Sequence, residues 1–591
     1  MITVYDKLII ASYFVFILAI GVMFRRLSKN TSDYFRCGGA MPWWLTGTSA
    51  WIASFSAWTF TGAAGKAYET GSLVLCLFYG NVVGTIVLLC YTSVRFRRFR
   101  TVTWMEAVRA RYGPFTEQFY TWLKVPILLF TSGVGLNAIG VFMAAVFHVN
   151  VAPTLIVMGT IITLVAFAGG AWAVLASDFV QMCLIVTISL VTAHLALHQP
   201  AIGSLSSLLH KVPQPYFHWS QLARMQILAP WIGVMIWFGF STANNMENSV
   251  MYLMAKSDGN ARGMTLIPLV GSLIGPMIFL IPPLVAGVTH PHLALEYPNL
   301  SQPHEAAFVA VARDVMPQGL LGLLLCAMLG ATLTSMDAGV NKGVGVFVRS
   351  FYKPIIAPRI SEKRLLIVGK ICTLVFGAII VAVAVWVSKT RTIGLFDLTN
   401  RLAAGLLGPL MIPLLWGIFY KRTPAWSAWS TALVGYAVAL LVQLMFTPSQ
   451  LRRFTGPLSE LEDSDIMLTV SAFSVVIVSS LWFFATGLFY RFSTQEHLAR
   501  IEQFTSSLNT PINPGREAIA NYDEVIYRLI GGLCLVYGSF ILLLTAIPNS
   551  MRGRMCFVFC GGVIFIMGAI LRLQSRGHKT PEVIPAPAAA R

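Results

Sequence analysis

Apolar runs of eighteen residues or more recur along nearly the whole chain, separated by short polar or basic loops. Each run is long enough to cross a hydrocarbon core of about 30 Å as an α-helix. The pattern predicts about fifteen transmembrane helices, near residues 4–24, 44–68, 73–94, 121–147, 152–169, 172–197, 227–252, 264–288, 319–347, 365–388, 395–420, 425–446, 466–490, 525–547 and 555–573. An all-α polytopic membrane protein is the expected class.

Two of these runs break their own hydrophobicity midway. In the first, Ala53-Ser54-Phe55-Ser56-Ala57-Trp58-Thr59-Phe60-Thr61-Gly62 alternates small polar with aromatic residues. Five runs later, Phe238-Gly239-Phe240-Ser241-Thr242-Ala243-Asn244-Asn245-Met246-Glu247-Asn248 repeats the device. Interrupted, polar-lined helices at corresponding positions of two halves point to an inverted-repeat transporter with its site at mid-membrane. Hydroxyls that bond back to their own helix and bend it explain either segment alone. The spacing of the pair, one five-helix repeat apart, favours a site.

Two other runs carry an acid deep within them. Asp178 lies within 172–197, and Asp337 follows Thr334-Ser335 within 319–347. A carboxylate at membrane depth costs about 2.5–3.5 kcal/mol on insertion scales, so it faces a partner, a cavity or an ion path. Buried acids with neighbouring hydroxyls point to cation handling. Lys124 is expected to snorkel at a helix end, and Glu247, among Asn244, Asn245 and Asn248, to mark a solvated helix end in preference to an inner gate.

Composition agrees with the pattern: 56% of the 591 residues are hydrophobic and 11% charged, against about 25% charged in soluble domains. The net charge of +18 would suit nucleic acid, but its placement excludes that partner. The basic residues sit in short loops, at Arg25-Arg26, Arg95–Arg100 and Arg349–Arg364. With the amino terminus outside, all three loops fall on the cytoplasmic side next to lipid headgroups, and the carboxyl terminus is expected there too. Arg25-Arg26 also reads as a stop-transfer flank, so the first span is expected to be retained. The nine scattered cysteines form no CxxC pair, and no GxxxxGK[ST] loop occurs. A disulfide framework, a zinc site and intrinsic ATP hydrolysis are therefore not expected. Nor does any nucleophile–base set emerge, and no enzyme is expected.

Several motifs follow one another in order. Pro42-Trp43-Trp44 leads into the first interrupted run, and Gly169-Gly170 stands with Asp178 and Gln181. Ala255-Lys256-Ser257 precedes Ala261-Arg262, and Pro317-Gln318-Gly319-Leu320-Leu321-Gly322 precedes Ala331-Thr332-Leu333-Thr334-Ser335-Met336-Asp337 with Asn341. Leu395-Phe396-Asp397 and Gly417-Ile418-Phe419-Tyr420-Lys421-Arg422 bracket a later helix. Over residues 1–490 this series resembles the sodium/solute symporter family, which includes the sodium/proline and sodium/galactose symporters.

The resemblance implies a five-plus-five inverted repeat of the LeuT type, 44–420, with repeats at about 44–197 and 222–420. Around that core it leaves a leading helix and loop (1–43), accessory helices (421–490), a cytoplasmic linker (491–524) with a short surface helix near Glu496–Phe504, two further helices (525–573) and an unfolded tail (574–591). It also implies a sodium site made of the backbone carbonyls of Ile52, Phe55 and Ala331 and the hydroxyls of Thr334 and Ser335. Neutral oxygens suit a hard monovalent cation because they replace its water shell without burying another full charge. Asp178 matches a position that serves a second ion or the exit path, so one sodium ion or two is implied.

The solute pocket implied by the same resemblance is lined by Ser54, Ser56, Trp58 and Thr59, by Ser241 and Asn244, and by Phe78 and Asn400. Sugar-binding members place polar and acidic groups where this chain has Trp58, Thr59 and Phe78, and an aromatic gate and an asparagine where it has Ser241 and Phe238. A hexose is therefore disfavoured and a compact polar solute, such as an amino acid or carboxylate, is expected. Ser54 stands where the sodium/proline pattern has a carboxylate, while Ser56 and Trp58 match that pattern. The implied activity is sodium-coupled symport. Proton coupling through Asp178 and a non-transporting solute sensor are the alternatives.

Overall fold

The computed structural model describes residues 3–24, 37–53, 55–218, 221, 224–446, 450, 452, 456–513 and 522–575, apart from a few side chains within helices. Among the described residues the secondary structure is helical, and the one β-bridge pairs Met41 with Ala255. Thirteen helices among the described residues are long and apolar enough to cross a membrane. The difference from the fifteen predicted runs has two sources. The run at 44–68 is split by its own break, its outer half being counted with the helix that follows (Ala57–Arg97), and the run at 152–169 contracts to the shorter apolar helix Val151–Leu164. That helix is continuous with the next span as Val151–Leu197, 47 residues. At 1.5 Å per residue this is about 70 Å of helix, longer than one crossing of about 30 Å needs.

Both interruptions exist. The helix Trp43–Ile52 stops at Ala53, and the Phe55 amide turns back to the Ile52 carbonyl at 2.9 Å. Ser56 is fully extended (φ −157°, ψ −179°), and its hydroxyl oxygen accepts from the Trp58 amide, capping the short helix Ala57–Phe60. A further kink at Thr61 leads into Gly62–Thr70. In the second case the helix Met225–Asn244 runs through most of the predicted polar break and stops only at Asn245. Residues 238–244 stay helical because Ser241 donates back to the Phe238 carbonyl, the local bond that lets a hydroxyl sit inside a helix. Asn245 then caps the turn Met246–Asn248 through its side-chain oxygen.

Packing follows membrane rules. The helix Glu362–Thr390 presents Ile367, Ile371 and Val375 outward as one exposed stripe, a surface for acyl chains. Inside, small residues let backbones approach: a Cβ on Gly80 would lie 2.5 Å from the Met235 carbonyl oxygen, and Gly84 and Gly239 are closed off in the same way. Gly239→Val is expected to destabilise the detergent-solubilised protein by about 1–3 kcal/mol, read as a lower melting temperature. Gly135→Ala, where a Cβ meets nothing within 4 Å, is expected to leave it unchanged.

The helix Leu320–Val346 is the central post, buried almost throughout. The last two helices, Asp523–Leu543 and Met551–Ser575, pair closely and dock on Val4–Phe24 and Val151–Leu197, with Tyr537 stacked on Phe16 and Trp44 Nε1 donating to the Tyr527 hydroxyl. The short surface helix expected near 496–504 spans Gln495–Asn509. Its carboxyl-terminal carbonyls accept from Arg98 (to Leu508, 2.9 Å) and Arg100 (to Ser507, 2.8 Å), so the 95–100 arginines also hold a helix end of favourable dipole sign.

Candidate ion and solute sites

Asp178 is fully buried, and side chains from two other helices reach it. Ser49, one turn before the first break, donates to Oδ2. From Leu320–Val346, Thr334 Oγ1 lies 2.6 Å from Asp178 Oδ1 and 2.7 Å from Gln181 Oε1. Gln181 Nε2 in turn donates to the Tyr13 hydroxyl at 3.1 Å. Thr334 has a single proton and cannot satisfy both acceptors. The cluster is thus one proton short of satisfying its acceptors. A narrow cavity of about 50 Å³ touches Ser49, Asp178 and Thr334 and extends to Trp104, Asn341 and Lys342.

Thr334 thereby joins Asp178, which the sequence reading had placed in a different site. Its neighbour Ser335 turns back on its own helix, donating to the Ala331 carbonyl at 2.8 Å. The hydroxyl that reaches the first break belongs to Thr332, which accepts from the Ala57 amide at 3.2 Å. Ser49, Thr332 and Tyr13 were missed as site residues. Their one signal in sequence is a hydroxyl at helical spacing from a motif residue, which is too common to select.

Among the solute-pocket residues, Trp58 stacks on Phe396 (centroids 5.9 Å apart, planes at 13°) and donates from Nε1 to the Leu395 carbonyl. Phe78 belongs to the same apolar cluster. Asn400, one turn beyond Phe396, is buried with its side-chain Nδ2 unpartnered among the described residues. Thr59 is buried, Ser56 serves as the cap described above, and Ser54 lies outside the described residues. So does the side chain of Asp337. Asn244 departs from its expected role: its Oδ1 accepts from Thr92 at 2.5 Å, and its Nδ2 donates to the Gly84 and Phe240 carbonyls. With every polar atom engaged it ties two helices together rather than lining a cavity.

Two expectations about charge are corrected. Lys124 does not snorkel; it is buried and meets Glu247 at 2.5 Å. Glu247 is accordingly no solvated helix end but a charge tying the second break to the helix Pro114–Phe147. On the face away from the arginine loops, Glu305 and Arg391 form a bidentate pair with both bonds at 2.7 Å and both side chains almost fully buried. Glu305 Oε1 also accepts from the Leu395 amide at 2.6 Å.

With this geometry in hand, the comparisons assign the class. The pattern of the sodium:solute symporter family matches residues 34–435, and the chain belongs to that family. It is 24% identical to the sodium/myo-inositol cotransporter 2 of Sus scrofa over 74% of this chain and 69% of that one. Identity to the sodium/glucose cotransporter 2 of Rattus norvegicus is 23%, over 71% and 68%. A solved structure of a Na⁺-coupled sialic acid symporter, substrate-bound and outward-open, superposes with a TM-score of 0.64 at 17% identity, covering 82% of this chain and 98% of that one. The fold is the LeuT-type inverted repeat. Relatives named for inositol and glucose lend no support to setting hexoses aside.

Proposed function

We propose that the protein is a sodium-coupled symporter that imports a small polar organic solute by alternating access. The observation that carries this reading is the proton-poor oxygen cluster of Asp178, Thr334, Gln181 and Ser49 beside a broken helix. In this reading Asp178 and Thr334 hold one cation. The carbonyls of Ile52, Phe55 and Ala331 with the Ser335 hydroxyl hold another, once Ser335 releases Ala331. Trp58, Phe78 and Asn400 flank the solute, and Ser54, Ser56, Thr59 and Ser241 supply polar lining around the breaks. The arginine loops face the cytoplasm, which puts the amino terminus outside.

The driving force is adequate. One charge moving down 100 mV yields about 2.3 kcal/mol, and a tenfold sodium gradient adds about 1.4 kcal/mol. Together these support accumulation of a neutral solute by roughly a few hundredfold. The test is a thermal-shift screen of the purified protein against candidate solutes with sodium or potassium, followed by uptake into proteoliposomes. Stabilisation and uptake that require sodium are expected, about 2.7 kcal/mol of stabilisation when ligand reaches a hundred times its Kd. Uptake that persists without sodium and follows a pH gradient replaces this reading with proton coupling.

A further inference from the structure

A cavity of about 1120 Å³ opens on the face away from the arginine loops. Lys66 lines it, two helical turns beyond Trp58 on the first broken helix, and so do Asp397 and Arg401 on the helix that carries Phe396. Trp58 and Phe396 form an aromatic layer on the side toward the break, and Lys66 Nζ sits 5.7 Å from the Phe396 ring centroid.

The charges here are not arranged as a structural strut. Glu305–Arg391, a few residues away, shows what such a strut looks like: bidentate, 2.7 Å, closed to solvent. Lys66–Asp397 is a single contact at 3.4 Å, with Asp397 24% exposed. That is longer than a charge-assisted hydrogen bond of about 2.7–2.9 Å. Arg401 reaches only the Ser464 hydroxyl at 3.2 Å, with no carboxylate partner among the described residues. Asp465 is 3% exposed and near enough to Lys66 to share its field, yet no hydrogen bond reaches its carboxyl among the described residues. The cavity thus presents under-used charge of both signs at Lys66, Arg401 and Asp397, with Asp465 near Lys66 but outside the lining.

We propose that this cavity recognises a zwitterionic solute, its carboxylate at Lys66 and Arg401 and its ammonium at Asp397 backed by Asp465. The proposal rests on the symporter reading and names the substrate class of the same transport path. A neutral polyol could donate to Asp397 and accept from Lys66, but it would bring no opposite charge to either. A carboxylate alone would take the cations and leave two acids unmatched. A zwitterion replaces the loose pair with two close ones and carries no net charge past the aromatic layer.

The test uses the full-length protein in detergent, read by thermal shift in sodium and in potassium. The probes are the twenty common L-amino acids, lactate, ethanolamine, D-glucose and myo-inositol. At least one amino acid is expected to stabilise in sodium beyond sodium alone, with its affinity reduced about tenfold or more in Lys66→Met and in Asp397→Asn. Lys66→Arg, which keeps the charge, is expected to retain binding and so controls for folding. A sugar or inositol that stabilises while no amino acid does overturns the proposal, as does unchanged amino-acid affinity in both neutralised variants. Sodium alone, measured on the unaltered protein, separates the two readings. If sodium stabilises and no amino acid adds to it, only the zwitterion assignment falls; if sodium has no effect, the symporter reading falls with it.

Discussion

Asp178→Asn is expected to remove most of the sodium-dependent stabilisation while leaving the sodium-free protein as stable as before or more so. The two halves of this result have separate causes. Asp178 is fully buried, and the donors it receives are neutral hydroxyls from Ser49 and Thr334. Such a carboxylate is costly to hold when nothing of opposite charge accompanies it, and a neutral isostere removes that cost. Sodium binding draws on the same charge: hydrogen bonds and contacts to charged groups contribute about 1.5–3 kcal/mol, a tenfold to hundredfold loss of affinity. A purely structural Asp178 predicts the reverse, with lower stability in every buffer and an unaltered sodium response. Melting temperatures across a sodium titration distinguish the two. Thr334→Val and Ser335→Ala extend the argument. With a cation at each site both changes are expected to shift the titration; a shift in Thr334→Val alone would leave only the Asp178 site.

The spans and the breaks were legible in the sequence because both are local: an apolar run is a span whatever it packs against. The chain also showed that Asp178 must face something, since lipid offers it nothing. It did not show what. Ser49 is 129 positions from Asp178 and Thr334 is 156 away, and only helix packing brings them together. The same holds for Lys124 and Glu247, 123 positions apart. Each looked like a helix-end charge because its partner lay on another helix. The second break was placed several residues early because Ser241 and Asn244 count as polar in sequence, yet both spend that polarity inside the bundle. Lys66 was overlooked since a lone cation near the end of a span is ordinarily a topology signal, and Asp397 lies 331 positions on.

Glu305→Ala is expected to be among the most destabilising single changes in the protein. It strands the Arg391 guanidinium, 3% exposed, without its bidentate partner, and takes the acceptor from the Leu395 amide. Removing one member of a buried ion pair costs about 3–5 kcal/mol, because the remaining charge is left uncompensated. The double change Glu305→Gln with Arg391→Met removes both charges and keeps an acceptor for Leu395, so it is expected to recover much of that loss. The pair also fixes where the helix Leu395–Leu402 begins, and that helix carries Phe396, Asp397, Asn400 and Arg401. A stability defect should therefore arrive with a weakened solute response, and the double variant should restore the two together. Recovery of the melting temperature without recovery of solute binding would mean that the charge of Glu305, rather than its grip on the helix start, serves the solute. A double variant no more stable than Glu305→Ala would place the cost in lost packing instead of a stranded cation.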